Sequence, residues 1–229
     1  MKRLSVIILI ILVLAAAGEL AMPAFVGGLV ARGMTEATGS DNVTAQVAKS
    51  PALLMLDGRF DSLIIHARDA RVDKIVFAQL DAALSDVALD MPVLLSARRV
   101  AVKSVRDIDV TAVITQEELS RFLNQSVKGI KNAQVKIDNN GVKVSANFML
   151  GQIASIAIAL DGKIVGDGYK IKFVTNRFLL NNTAVGNIGG SVLTEIPLVD
   201  LRKLPFGVQA RQVAAGDGKI TIIAHNRTP

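Results

Sequence analysis

The chain has 229 residues, 51% of them hydrophobic, with no cysteine, no tryptophan and a formal charge of +6. That length suits one ordinary domain or two small ones with ample core, no disulfide can brace it, and His66 and His225 alone cannot assemble the common zinc ligand sets. Eight Phe and the single Tyr169 are too few for sugar-stacking or single-stranded nucleic-acid platforms, and the spread of basic residues argues against nucleic acid as a partner. The modest basic excess instead suits work beside an anionic membrane surface, where a well-placed Lys or Arg is worth about 1 kcal/mol.

Residues Leu4 to Ala17 are apolar but for Ser5, follow Lys2 and Arg3, and precede Gly18 and Glu19. This is the order of an export segment, with small residues Ala15, Ala16 and Ala17 where cleavage could fall. Glu19 and Pro23 interrupt the run before the roughly 20 residues that a span needs, which favours cleavage. Leu20 to Ala31 is again mostly apolar, which favours an uncleaved, tilted anchor. The division expected is therefore a signal peptide or signal anchor over 1–18 and a single α+β domain over 19–229. Without cysteine, attachment as a lipoprotein is excluded.

Beyond the run, a helix is expected over about 20–38, then a strand at Val43, Ala45 and Val47 that ends at Ser50-Pro51. Ala52 to Leu56 reads as an apolar turn closed by Asp57-Gly58. Leu63, Ile65 and Ala67 alternate, and short strands are expected at 72–78, 86–91 and 100–105, with a longer one from Asp107 to Ile114. At Thr115 the period changes: Thr115 and Glu118 form a capping-box pattern, and Leu119, Phe122 and Leu123 recur at helical spacing over about 116–127. Asn139-Asn140-Gly141 turns a hairpin between Val135 and Phe148, Asp161-Gly162 reads as a second turn, and Gly216-Asp217-Gly218 as the last. A strand runs from Tyr169 to Leu180, and Val192, Leu193 and Ile196 suggest a short helix stopped by Pro197. The sum is an α+β fold dominated by antiparallel strands.

The segment from Ile153 to Leu160 is apolar on both faces, with Ile156, Ile158 and Leu160 on one and Ser155, Ala157 and Ala159 on the other. Such a strand is covered on both sides or lines a cavity.

Chemistry is sparse. Ser191 follows Gly189-Gly190 but lacks the glycine that a nucleophile elbow needs two residues on, and Gly186 to Gly190 lacks the lysine of a phosphate loop. Asp138 to Gly141 is a hairpin turn, not a calcium frame. Glu117 and Glu118 point some 100° apart on a helix, so they form no acid/base pair. Alternation places His66 with Ile64 and Arg68 on one strand face, where it reads as a surface or cleft histidine. No metal or cofactor is expected. Arg98, Arg99, Lys103 and Arg106 are the densest basic stretch, suited to lipid phosphates or to a solvated strand edge.

Residues 50–61, Ser50-Pro51-Ala52-Leu53-Leu54-Met55-Leu56-Asp57-Gly58-Arg59-Phe60-Asp61, resemble a stretch of the LmeA-like phospholipid-binding family of bacterial cell envelopes. Ile114-Thr115-Gln116-Glu117-Glu118-Leu119 is similar to that family's strand-to-helix step, and Leu204-Pro205-Phe206-Gly207 to the segment before its last hairpin. The resemblance implies an exported, membrane-associated protein of the periplasm or cell surface. Its curled antiparallel sheet and a few amphipathic helices would enclose an apolar groove for phospholipid, with no catalytic residues. Candidate groove residues are Leu119, Phe122, Phe148, Leu150, Ile156, Ile158 and Phe173; candidate headgroup residues are Arg98, Arg99 and Lys103. The function expected is non-enzymatic holding or presenting of phospholipid. The alternative is an envelope scaffold that binds a protein partner, itself unknown, through apolar surfaces.

Overall fold

A computed structural model describes residues 2–150, 154–181, 183–185, 194–204 and 207–227; the side chains at 2–5, 7, 8, 11, 14–16, 150, 154 and 185 lie outside the description. The chain divides into two compact units, one of residues 1–67 and 81–108, the other of 68–80 and 109–229. Most of it is strand, in two open antiparallel sheets.

In the first unit, helix α1 runs without a break from Lys2 to Thr38, so the helix expected at 20–38 is its C-terminal part. Val26, Val30 and Met34, spaced one turn apart, are buried with Gly27 and Gly33. Glycine is required at Gly27, where a Cβ would come within 2.6 Å of the Ala45 carbonyl oxygen, and packs tightly at Gly33, where a Cβ would lie 3.0 Å from the Arg98 carbonyl oxygen. Close backbone approach thus seats strand β1 (Asn42–Ala48) and the end of helix α2 (Met91–Ala97) on α1. Between them, the turn expected at Ala52 is a 3-10 helix, Ala52–Asp57, that buries Ala52 and Met55 and ends at Gly58 with φ 77°. Helix α2 starts from Asp90, whose carboxylate accepts from the Val93 amide at 3.1 Å.

Strands β2 (Arg59–Val72) and β3 (Ile75–Leu89) form a long hairpin. The single strand expected at 72–78 is instead broken: Val72 ends β2, Asp73 and Lys74 are the turn, with Asp73 at φ 57°, and Ile75 to Ala78 begin β3. Asp86 to Met91 is not one strand either, since β3 ends at Leu89 and Met91 begins α2. The inward set of β2 moves from Leu63, Ile65 and Ala67 to Ala70 and Val72 across Asp69 at φ 53°, a residue type that tolerates this conformation. Such phase changes hide a long strand from an alternation test. The stretches expected at 100–105 and 107–114 are one strand, β4 (Val102–Thr115). The first sheet has the order β1-β2-β3-β4-β12-β11, where β11 is Gln209–Gly216 and β12 is Lys219–His225.

The second sheet lies wholly in the second unit. Its order is β10-β8-β7-β6-β5, with β9 (Thr183–Val185) beside β8. The strands are β5 (Ile130–Asp138), β6 (Gly141–Leu150), β7 (Ala154–Asp167), β8 (Lys170–Leu180) and β10 (Glu195–Asp200). Asp161-Gly162 is not a turn. Strand β7 runs through it, the register with β8 slips there, and the turn falls at Gly168-Tyr169. Gly162 is a close-approach glycine: a Cβ would lie 2.3 Å from the Val174 carbonyl oxygen and 2.8 Å from the Phe173 ring. The helix expected around Val192, Leu193 and Ile196 is also corrected at its end, because Ile196 belongs to β10; Val192 and Leu193 lie outside the described residues. Pro197 is tolerated because β10 is an edge strand with a register break at that point.

Helix α3 (Gln116–Ser126) packs Leu119, Phe122 and Leu123 inward beside β5. The Thr115 hydroxyl accepts from the Glu118 amide at 3.3 Å, but the return arm of the capping box is not made, since the Glu118 carboxylate pairs with Arg121.

Candidate functional site

One face of the second sheet is apolar in cross-strand rows. Val144, Leu160 and Phe178 form one row, Ala146, Ile158 and Leu180 the next, and Phe148 with Ile156 a third. Val144, Leu160, Ala146 and Ile158 are buried, whereas Phe148, Ile156, Phe178 and Leu180 are half-buried. The face is thus closed core at one end and partly open at the other. The Phe148 ring lies over Gly129 (φ 88°), where a Cβ would come within 2.8 Å of it.

Of the seven groove candidates, Leu119, Phe122, Ile158 and Phe173 are buried, and Phe148 and Ile156 stand at the half-open end. The backbone of Leu150 continues β6, but its side chain lies outside the described residues. Sequence reading missed Phe178 and Leu180. Simple alternation from Ile171 and Phe173 points Leu179 inward. The slip opposite Asp161-Gly162 adds a residue to β8 and reverses the parity, turning Phe178 and Leu180 onto the apolar face. The available signal was Gly162 inside a strand.

The other face of β7 is not covered, which corrects one of the two expectations for it. Ser155 and Ala157 are exposed, and Ala157 and Ala159 border a shallow concavity of about 290 Å³ with the polar Asn132, Gln134, Ser145 and Asn147.

A cleft of about 540 Å³ lies at the opposite end of β8, between the β2–β3 turn, the end of α3 and β10. Phe122, Ile196 and Leu198 supply apolar lining, and Lys74, Lys128 and Lys170 stand in it with Asp73, Glu195 and Asp200. The carboxylates are engaged. Asp73 pairs with Lys203 at 2.7 Å, Glu195 with Lys172 at 3.3 Å, and Asp200 with Arg202. The Arg202 side chain, hydrogen-bonded to Asp200, holds that carboxyl at about 2, with a smaller push from the charge of Lys170. Lys74 and Lys128 have no ion-pair partner among the described residues. Cations above apolar lining suit an anionic amphiphile. Lys170 and Leu180 stand at the two ends of β8, about 33 Å apart at ~3.3 Å per residue, so cleft and half-open face are separate features.

Arg98, Arg99 and Lys103 belong to the other unit from the groove candidates. Arg98 is the left-handed residue (φ 48°) that ends α2, Arg99 follows it in the loop, and Lys103 on β4 pairs with Asp90 at 3.2 Å. His66 is exposed, with its Nδ1 2.8 Å from Asp81. No group of three potential metal ligands occurs among the described residues. Ser191 and residues 186–190 lie outside them.

Two open antiparallel sheets and a few helices define an α+β protein with one sheet face apolar and partly open. The chain belongs to the LmeA-like phospholipid-binding family, whose model matches residues 17–225. No curated protein and no solved structure matches it.

Proposed function

We propose that this is a non-enzymatic phospholipid-binding protein that works outside the cytoplasm and holds or presents lipid at the cell envelope. The observation that carries the reading is the half-buried apolar set Phe148, Ile156, Phe178 and Leu180, at the open end of an otherwise buried sheet face. Such a set shelters acyl chains without requiring a dry closed cavity. Burying a methylene is worth ~0.8 kcal/mol against water, but the donor bilayer offers the same, so chain transfer is nearly neutral and polar contacts decide selectivity. The basic, apolar order of residues 2–17 supports an exported chain that meets lipid at a membrane. The family is named for binding, not for a reaction, and the sequence carries no recognised nucleophile arrangement.

The test is cross-linking of the full chain in membranes that contain a phospholipid with a photoreactive acyl terminus, followed by peptide mapping. Adducts on β6, β7 and β8 around Phe148, Ile156, Phe178 and Leu180 are expected. Labelling confined to α1 would overturn the reading.

A further inference from the structure

We propose that the 3-10 helix Ala52–Asp57 docks on a phospholipid bilayer, with Leu53, Leu54 and Leu56 entering the interfacial layer. With roughly three residues per turn, this helix has one line of side chains for each residue of a turn. Ala52 and Met55 take the inward line and are buried, while Leu53, Leu54 and Leu56 are 53%, 42% and 56% exposed. Three leucines presented to water by a six-residue element form a concentrated apolar patch.

What covers the patch follows from where the element is held. The Glu19 carboxylate accepts the Ala52 amide hydrogen at 2.9 Å, and Leu53 is the nearest side chain to Gly18 of α1. The leucines therefore sit where the apolar run Leu4–Ala17 ends. Along that run Val6, Leu9, Ile10, Leu12 and Val13 are exposed, and Leu20 continues the surface beyond it. In sequence the run is apolar around the whole helix circumference, so it has no polar face to return to water, and it opens with Lys2 and Arg3, suited to anionic headgroups. That is the chemistry of a helix in lipid, and the leucine patch is its lateral extension.

Length gives the extension a purpose. Fourteen residues rise about 21 Å at 1.5 Å each, short of a hydrocarbon core of about 30 Å. Among the described residues no helix is long and apolar enough to cross a membrane. Apolar side chains added beside the end of a short run widen its contact with the bilayer. The inference shares the phospholipid and the apolar run with the function proposed above but concerns a different surface, for it lies in the other unit from the β6–β8 face.

The chain contains no cysteine, so a single engineered thiol reports one position. Leu54→Cys in the full chain, labelled with an environment-sensitive fluorophore and reconstituted into phosphatidylethanolamine–phosphatidylglycerol vesicles, is expected to emit to the blue. It is also expected to be quenched by lipid-borne nitroxide and to lose aqueous iodide quenching severalfold. Ser96→Cys on α2, which packs near Gly33 about 22 Å along α1 from Gly18, is expected to behave as in water. Leu53→Cys and Leu56→Cys repeat the reading should Leu54→Cys misfold. Iodide-accessible probes at all three leucines overturn the proposal. So does a blue shift without nitroxide quenching, which would mean a protein surface covers the patch, and so does equal quenching at Ser96→Cys. Acyl adducts on β6–β8 with a water-exposed probe at 54 would sink this inference alone; an inserted probe without those adducts would sink the lipid-binding reading alone.

Discussion

Glu19 and Ala52, 33 residues apart in sequence, are joined by a 2.9 Å hydrogen bond from the Ala52 amide to the Glu19 carboxylate. Ala52 is fully buried, so its N–H has little recourse to water. The bond ties the residue just past the apolar run to the folded unit, whatever becomes of the run itself. Glu19→Ala is expected to cost about 1–3 kcal/mol by leaving that donor unsatisfied, or roughly 2–4 °C of melting temperature per kcal/mol for a chain of this size. Glu19→Gln keeps an acceptor and should recover most of the loss. Thermal melts of the three chains in one mild detergent decide it, and coincident curves would mean the bond contributes nothing.

The reversal of parity in β8 separates two neighbouring leucines. Leu180 lies on the apolar face and Leu179 on the other. Phe178→Ser and Leu180→Ser should each lower acyl cross-linking by about tenfold or more, because seating an acyl chain against the new hydroxyl desolvates it at a cost of about 1–3 kcal/mol that the donor bilayer does not offset. Leu179→Ser should leave it near the parent level. If Leu179→Ser were the damaging change, the register across Asp161-Gly162 would be wrong and the apolar face with it.

Edge strand β5 is closed by side chains of α3. Asn124 donates to the carbonyls of Ser120 (2.9 Å) and Ala133 (3.1 Å) and accepts from the Ala133 amide (2.8 Å), and the Ser120 hydroxyl accepts from Val135 (3.0 Å). These contacts serve the stretch where β5 slips register against β6, between Lys131 and Gln134. Asn124→Ala should destabilise by about 1–3 kcal/mol, and Asn124→Asp, which keeps the acceptor but loses both donors, by less. Hydrogen exchange at Ala133 and Val135 reads the effect locally. Unchanged protection at Ala133 in Asn124→Ala would show that the side chain does not close the edge.

How much of this was legible in the sequence depended on how local the physics is. The helix starting at Thr115, the turn closed by Asp57-Gly58 and the hairpins at Asn139-Asn140 and Asp217-Gly218 are set within a few residues, and each was read correctly. Asp161-Gly162 carries the same letters as a turn, yet its glycine answers to the Val174 carbonyl on another strand, which no window around residue 162 contains. Asp73 and Asp69 likewise reshape a hairpin by adopting positive φ where alternation alone predicts continuity. Half of the apolar set was found because Phe148 and Ile156 obey simple alternation. Phe178 and Leu180 were missed because a bulge had to be counted first. The lysine-bearing cleft was invisible for a plainer reason: Lys74, Lys128 and Lys170 come from three distant segments.

The ion pairs fix the direction of acid sensitivity. Hydrogen bonding from Arg202 lowers Asp200 from 3.8 to about 2, Lys49 lowers Asp61, the Val93 amide and Lys103 lower Asp90, and the Asn140 amide and Lys143 lower Asp138. A carboxyl whose value is lower folded than unfolded binds its proton less readily when folded. Its contribution is therefore complete above the unfolded value and is lost as pH falls through the folded one. For Asp200 that window runs from 3.8 down to about 2. Lys172 has the opposite sign: Asp167 and Glu195 raise it above 10.5, so its contribution is complete below 10.5 and is lost as pH rises through the folded value. Stability is expected to fall on acidification below pH 3.8. Arg202→Gln should move the Asp200 carboxyl-carbon titration, followed by NMR, back toward the ordinary carboxylate range and remove the Asp200 part of the acid slope. An Asp200 carboxyl in the parent chain that already titrates near 3.8 would show that the pair with Arg202 does not form in solution.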